Sequence, residues 1–132
     1  MEMYKLLLVD DEPDNLALLY RTLRGKYDII KTTSPIEALD ILSKNHIDLV
    51  ISDHKMPIME GTKFLEEVNK KAPDVIKILL TGFSDTEILT DAVNKCGITG
   101  IGLMAVADDG THTLAVFQRF GEKSGAFFNF GS

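Results

Sequence analysis

Two short apolar runs in this chain end on acid. Leu6-Leu7-Leu8-Val9 leads into Asp10-Asp11, and Ile47-Asp48-Leu49-Val50-Ile51-Ser52 leads into Asp53. Apolar runs of this length, bounded by polar residues, have the character of buried parallel strands. In an open parallel α/β sheet, ligands bind just beyond the carboxyl ends of the strands. Two adjacent strands ending there bring three carboxylates to one spot. Packing alone gives no reason to do so, because like charges repel and a buried unpaired carboxylate is costly. At ~4 Å and an effective dielectric of ~20, each pair costs about 4 kcal/mol. The cluster requires a cation, and oxygen-only ligands favour a hard ion such as Mg²⁺.

The elements that must position these acids follow from the pattern of the chain. From residue 4 to residue 97, strand and helix alternate, which implies βαβ units and a parallel sheet. Tyr4 to Val9 reads as the first strand. Pro13-Asp14-Asn15 opens a helix with Leu16, Leu19, Tyr20 and Leu23 at helical spacing, and Gly25 ends it. Tyr27 to Thr33 reads as the second strand. Ser34-Pro35-Ile36-Glu37 is a capping box with proline at the first helical position, followed by the stripe Ala38, Leu39, Ile41 and Leu42. Ile47 to Asp53 is the third strand and His54 to Glu60 an irregular loop. The next helix starts at Gly61-Thr62, carries Phe64, Leu65 and Val68 inward, and is broken by Ala72-Pro73-Asp74. Val75 to Leu80 is a fourth buried strand ending on Thr81-Gly82. Ser84-Asp85-Thr86-Glu87 is a second capping box, opening a helix that Gly97 stops.

The whole chain bounds the function. At 132 residues it is expected to form one domain with a single sheet-centred core. A formal charge of −6 argues against direct nucleic-acid binding, since phosphate contacts need a basic stripe and none is visible. No run approaches the length of a membrane span, and the first residues lack the layout of a signal peptide. The lone Cys96 cannot form an internal disulfide. The expectation from these features is a cytoplasmic protein.

Asp10-Asp11 after strand one, Asp53 after strand three, Met56-Pro57 in the following loop, Gly61, and Leu80-Thr81-Gly82 after strand four form an ordered set on one rim. That set resembles the receiver domain of two-component response regulators over residues 4–97. The resemblance implies a flavodoxin-like doubly wound parallel sheet of strand order 2-1-3-4-5. It implies that Asp53 accepts a phosphoryl group from a sensor histidine kinase. It implies further that Asp11, Asp53 and the backbone carbonyl of Lys55 hold Mg²⁺, with Asp10 acting largely through water. Thr81 would give a hydroxyl hydrogen bond to the new phosphoryl oxygen, converting a local charge change into a surface change. A phosphatase-type reading of the haloacid-dehalogenase kind needs Asp-x-Asp after the first strand, which Asp10-Asp11-Glu12 does not supply.

The chain departs from the family beyond Gly97. The family places a lysine at the end of strand five, where this chain has Met104, and Ala105 stands at the usual proline. Ile101 stands where an aromatic switch residue is expected, and no Lys or Arg occurs between Lys95 and Arg119. For transfer to occur, the lysine must be dispensable or be replaced in space by a residue such as Arg119 or Lys123. The fifth helix is missing as well. Residues 98–132 read instead as β-rich, with a turn at Asp108-Asp109-Gly110 and another at Gly121 to Gly125, so a hairpin or meander is expected in place of the fifth βα unit. Five of the seven Phe residues lie in the last sixteen positions, and the composition shift at Gly97 suggests a join between unrelated pieces, a chimera. A new open sheet edge there would favour a homodimer.

Two functions from different classes follow. One is a phosphoacceptor, impaired by loss of the lysine and at most catalysing its own phosphorylation and dephosphorylation. The other is a non-signalling scaffold that keeps the fold and assembles through residues 98–132. Other residues have plainer readings: His54 as a solvated loop histidine, Met56 and Met59 as loop packing, and His112 as a strand residue without the partners a zinc site needs.

Overall fold

The computed structural model describes residues 3–80, 97–98, 100–106, 112–120 and 123–131. Strands β1 (Lys5–Val9), β2 (Asp28–Thr32), β3 (Leu49–Asp53) and β4 (Ile76–Leu80) alternate with helices α1 (Pro13–Leu23), α2 (Pro35–Lys44) and α3 (Gly61–Lys71). The four strands are parallel in the order β2-β1-β3-β4. This is the doubly wound arrangement expected from the alternation of apolar runs and amphipathic helices. The sheet continues through β5 (Gly100–Val106), parallel to β4, and then through antiparallel β6 (His112–Phe120) and β7 (Lys123–Gly131).

Both faces of the central strands are covered, which is why their sequences are continuously apolar rather than alternating. Leu6, Leu8, Ile51, Ile78 and Leu80 face α1 and pack with Leu16, Leu19 and Leu23. Their neighbours Leu7, Val9, Val50 and Leu79 point the other way and pack with Ala38 of α2 and Phe64, Leu65 and Val68 of α3. Each strand thus feeds two cores through its period of two.

The helix boundaries have local causes. Pro13 stands at the start of α1, where its missing N–H costs nothing. The helix stops at Leu23, and Gly25 turns the chain back at φ 87°, a backbone conformation suited to glycine. Ser34 caps α2 by accepting from the Glu37 N–H at 3.1 Å. The reciprocal half of the expected box is replaced: the Ser34 N–H donates to the Thr32 hydroxyl at 3.1 Å, tying the cap to the end of β2. All four strands are shorter than the sequence pattern suggests, starting at Lys5, Asp28, Leu49 and Ile76 rather than Tyr4, Tyr27, Ile47 and Val75. Tyr4 is exposed, and its carbonyl accepts from the Asp28 N–H.

One strand residue breaks the apolar pattern. Lys77 in β4 is buried, and its ammonium donates to the carbonyls of Val75 at 2.7 Å and Pro73 at 3.2 Å. Burial pulls its pKa down, against the pull of Asp74. The stem packs as hydrocarbon while the head satisfies strand-start carbonyls, away from the acidic rim.

Candidate phosphoacceptor site

The strand order places a switch point between β1 and β3. From β1 the chain goes one way to β2 and then returns to the other side to form β3, which opens a crevice at the carboxyl ends of the two strands. Val9 pairs with Ser52, so the next residues, Asp10 and Asp53, stand side by side. Asp11 follows on the turn into α1. Each of Asp10, Asp11 and Asp53 offers a carboxylate oxygen within 4.8 Å of the others. The sequence expectation of one carboxylate cluster from two strand ends is realised.

Burial makes the cluster electrostatically strained. Asp10 is 3% exposed, and its carboxyl is pushed up to about 6, first by burial and then by the charges of Asp53, Asp11 and Glu12. The Glu12 N–H donates to it at 2.9 Å and partly offsets this. The Asp53 carboxyl is also raised, chiefly by burial. A hydrogen bond from the His54 N–H works against this, and Asp11 adds to it. One carboxylate oxygen of Asp11 is buried without a hydrogen-bond partner. A buried, unsatisfied carboxylate oxygen beside two raised carboxyls is the arrangement a hard cation relieves, and the donor set is oxygen alone. The residues present fit Mg²⁺.

The loop from His54 to Glu60 is pinned at both ends. The Gly61 N–H donates to the His54 carbonyl at 2.8 Å, and Met56 is buried in the α2–α3 core. A Cβ at Gly61 would overlap the Asp53 carbonyl oxygen and lie 2.8 Å from the Leu79 side chain, so glycine is required by space. This requirement is not visible in the sequence, because it arises from the start of α3 crossing the end of β3.

His54 corrects the sequence reading. It is 7% exposed, not solvated, and its Nδ1 is buried without a partner. Met56 and Met59 pack against the core as expected. Lys55, whose carbonyl is expected to face the metal, is exposed. Thr81, Cys96 and the second capping box at Ser84 lie outside the described residues. Leu80 pairs with Gly102 on β5, and no Lys or Arg occurs anywhere in that strand, Gly100–Val106.

Comparison with known proteins places the chain. The model of the response regulator receiver domain family matches residues 6–101. The match ends inside β5, beyond Gly97, so it gives no support to a chimeric join at that glycine. The hydrogenase transcriptional regulatory protein HoxA of Cupriavidus necator is 33% identical over 92 residues, 70% of this chain and 19% of that protein. The sensor histidine kinase RcsC of Escherichia coli is 41% identical over 66 residues, 49% of this chain and 7% of that protein. The chain thus spans a fifth or less of the length of these relatives. A crystal structure of a response regulator receiver domain protein from Clostridium thermocellum superposes with a TM-score of 0.71 at 29% identity, covering 82% of this chain and 87% of that one. With its parallel sheet, its acidic switch point and a family match across most of its length, the chain belongs to the response regulator receiver domains.

Proposed function

We propose that Asp53 is the phosphoacceptor and that a sensor histidine kinase is the donor. The observation that carries this is the joining of Asp10, Asp11 and Asp53 at the β1–β3 switch point of a receiver domain. Asp53 ends its strand with its carboxylate at the rim, where a phosphorylated side chain of a partner can approach in line. One Asp53 oxygen attacks phosphorus and forms the new O–P bond. The P–N bond to the kinase imidazole breaks, and its electron pair stays on the ring nitrogen. Receiver segments within sensor kinases such as RcsC support that donor class.

Asp11, Asp53 and the Lys55 carbonyl would hold Mg²⁺, with Asp10 acting through water. The ion supplies neutralisation of charge on the phosphoryl oxygens, which is most of what this transfer needs. Asp10 tunes that site from its buried position, and the Glu12 N–H orients it. Thr81 follows directly on Leu80, whose strand partner is Asp53, which supports the Thr81 hydroxyl as the contact for a phosphoryl oxygen there. We place this reaction in the cytoplasm. Among the described residues β7 pairs with β6 alone, and the sheet edge this leaves supports pairing of two copies through it. Light scattering across a concentration series tests that pairing, and a constant monomer mass would remove it.

The alternative of a non-signalling scaffold draws no support from the relatives named above, a transcriptional regulatory protein and a sensor histidine kinase. The test is intact mass after incubation with Mg²⁺ and a small-molecule phosphodonor. One phosphoryl group is expected on the wild-type chain and none on Asp53→Asn. No addition to the wild-type chain would overturn the proposal.

A further inference from the structure

Among the described residues, the rim is short of positive charge. Asp10, Asp11 and Asp53 cluster there, Glu12 adds its charge to Asp10 and Asp53, and β5 contributes no basic residue. Phosphorylation of Asp53 would add further negative charge at the same point. Arg119 and Lys123 do not fill the gap. Gly102 stands level with Asp53 across the sheet, whereas Gln118 pairs with Gly100 and Phe120 with Lys123, so both residues lie towards the opposite end of the strands.

Among the described residues, the basic side chains of β2 and α3 nearest this rim are committed. Lys31 of β2 sits 4.5 Å over the Tyr20 ring, and Lys63 in the first turn of α3 pairs with Glu66 and Glu67. Lys55 differs. It is exposed and has no ion pair among the described residues. Its neighbours His54 and Met56 are both buried, so the backbone that carries it is held. Two residues of extended chain span at most about 7 Å, which keeps the Lys55 Cα close to that of Asp53. The flexible four-carbon stem then lets the ammonium reach an oxygen on Asp53.

Resting on the phosphoacceptor reading of Asp53, we infer that the Lys55 ammonium is the cation that binds the phosphoryl group in this chain, in the role that strand five leaves empty. Before transfer it forms no ion pair with Asp53 or with another acid among the described residues. The added phosphoryl charge draws the ammonium in. It stays protonated throughout and donates hydrogen bonds, while the main-chain carbonyl of the same residue remains available to the metal. One residue thereby serves both partners of the site through different atoms.

The experiment measures binding of fluoroberyllate, a phosphoryl mimic, to the full chain in saturating Mg²⁺ by calorimetry, at two ionic strengths. Mg²⁺ binding alone is measured alongside. Lys55→Met is expected to weaken fluoroberyllate binding about fivefold, in the range of a partly exposed charge contact, and to flatten its salt dependence. Lys55→Arg is expected to restore both, and Mg²⁺ binding is measured for each variant so that fluoroberyllate affinities are compared at metal saturation. Equal fluoroberyllate affinity in wild type and Lys55→Met would overturn the inference, as would an arginine variant no better than methionine. A wild-type chain that binds Mg²⁺ but no fluoroberyllate would overturn the phosphoacceptor reading itself, and this inference with it.

Discussion

The α-carbon of Gly61 lies against the main-chain carbonyl oxygen of Asp53, so closely that a methyl group there would overlap it. The first residue of α3 is therefore packed on the strand end that presents Asp53. Its N–H closes the intervening loop onto the His54 carbonyl. The loop that carries Lys55 is shaped by this contact.

Gly61→Ala should force the strand end and the helix start apart. The expected cost is about 1–3 kcal/mol in urea denaturation, the range for overpacking a close-packed contact. Weaker Mg²⁺ binding should accompany it, since the Asp53 and Lys55 backbones move together. An alanine variant with wild-type stability and Mg²⁺ affinity would show that the contact is easily relaxed.

Asp10 makes the metal-free protein sensitive to pH. Its carboxyl titrates at about 6 when folded, against 3.8 for the ordinary side chain. Below the lower value both states are protonated and the group has no effect. Between the two the folded state holds the proton more tightly, so stability falls as pH rises. Above the upper value the full penalty, about 3 kcal/mol, is present. Burial of Asp53 acts in the same direction. Without metal, Asp10→Asn should be more stable than wild type near neutral pH, and the gain should shrink towards about pH 4. Mg²⁺ should stabilise wild type more near neutrality than in mild acid. Denaturation midpoints with and without Mg²⁺ across that range check this, and an asparagine variant no more stable at neutrality would contradict it.

His54 holds a buried ring nitrogen with no partner. An unsatisfied buried polar atom costs about 1–3 kcal/mol, and an apolar replacement of similar volume removes that cost. His54→Leu should therefore be neutral or stabilising by about 1 kcal/mol. Thermal melting of the two proteins decides the point. A clear loss of stability in the leucine variant would mean that the imidazole has a partner in solution.

Ser34 caps α2 with its hydroxyl, and that cap also receives β2 through Thr32. Ser34→Ala should cost about 1 kcal/mol. Ser34→Gly should cost only a few tenths. No loss in either variant would show that the backbone bond to Thr32, rather than the hydroxyl, carries the stabilisation.

Much of the fold was legible because its signals are local. Apolar runs of strand length, the proline at the start of α1 and the Ser34 cap each act within a few residues, and each appears where the pattern put it. The carboxylate cluster was legible for a related reason. Strand ends in a parallel sheet face one rim, so Asp10, Asp11 and Asp53 needed only the correct strand order to meet. His54 was misread because burial depends on what covers a loop. Its neighbours in sequence, Asp53 and Lys55, are polar and gave no sign of it. Lys77 was passed over inside an apolar run, since its ammonium is satisfied by carbonyls that only the turn before β4 brings near.

The sequence by itself determined which carboxylates could meet to hold a cation, because acids at strand ends are chemistry written in residue type and periodicity. Tertiary structure alone decided how strained that site is. The raised carboxyl of Asp10, the unpartnered oxygen of Asp11 and the space that admits only glycine at 61 all arise where separate elements converge. Desolvation and close contact depend on three-dimensional neighbours, and no local pattern encodes them.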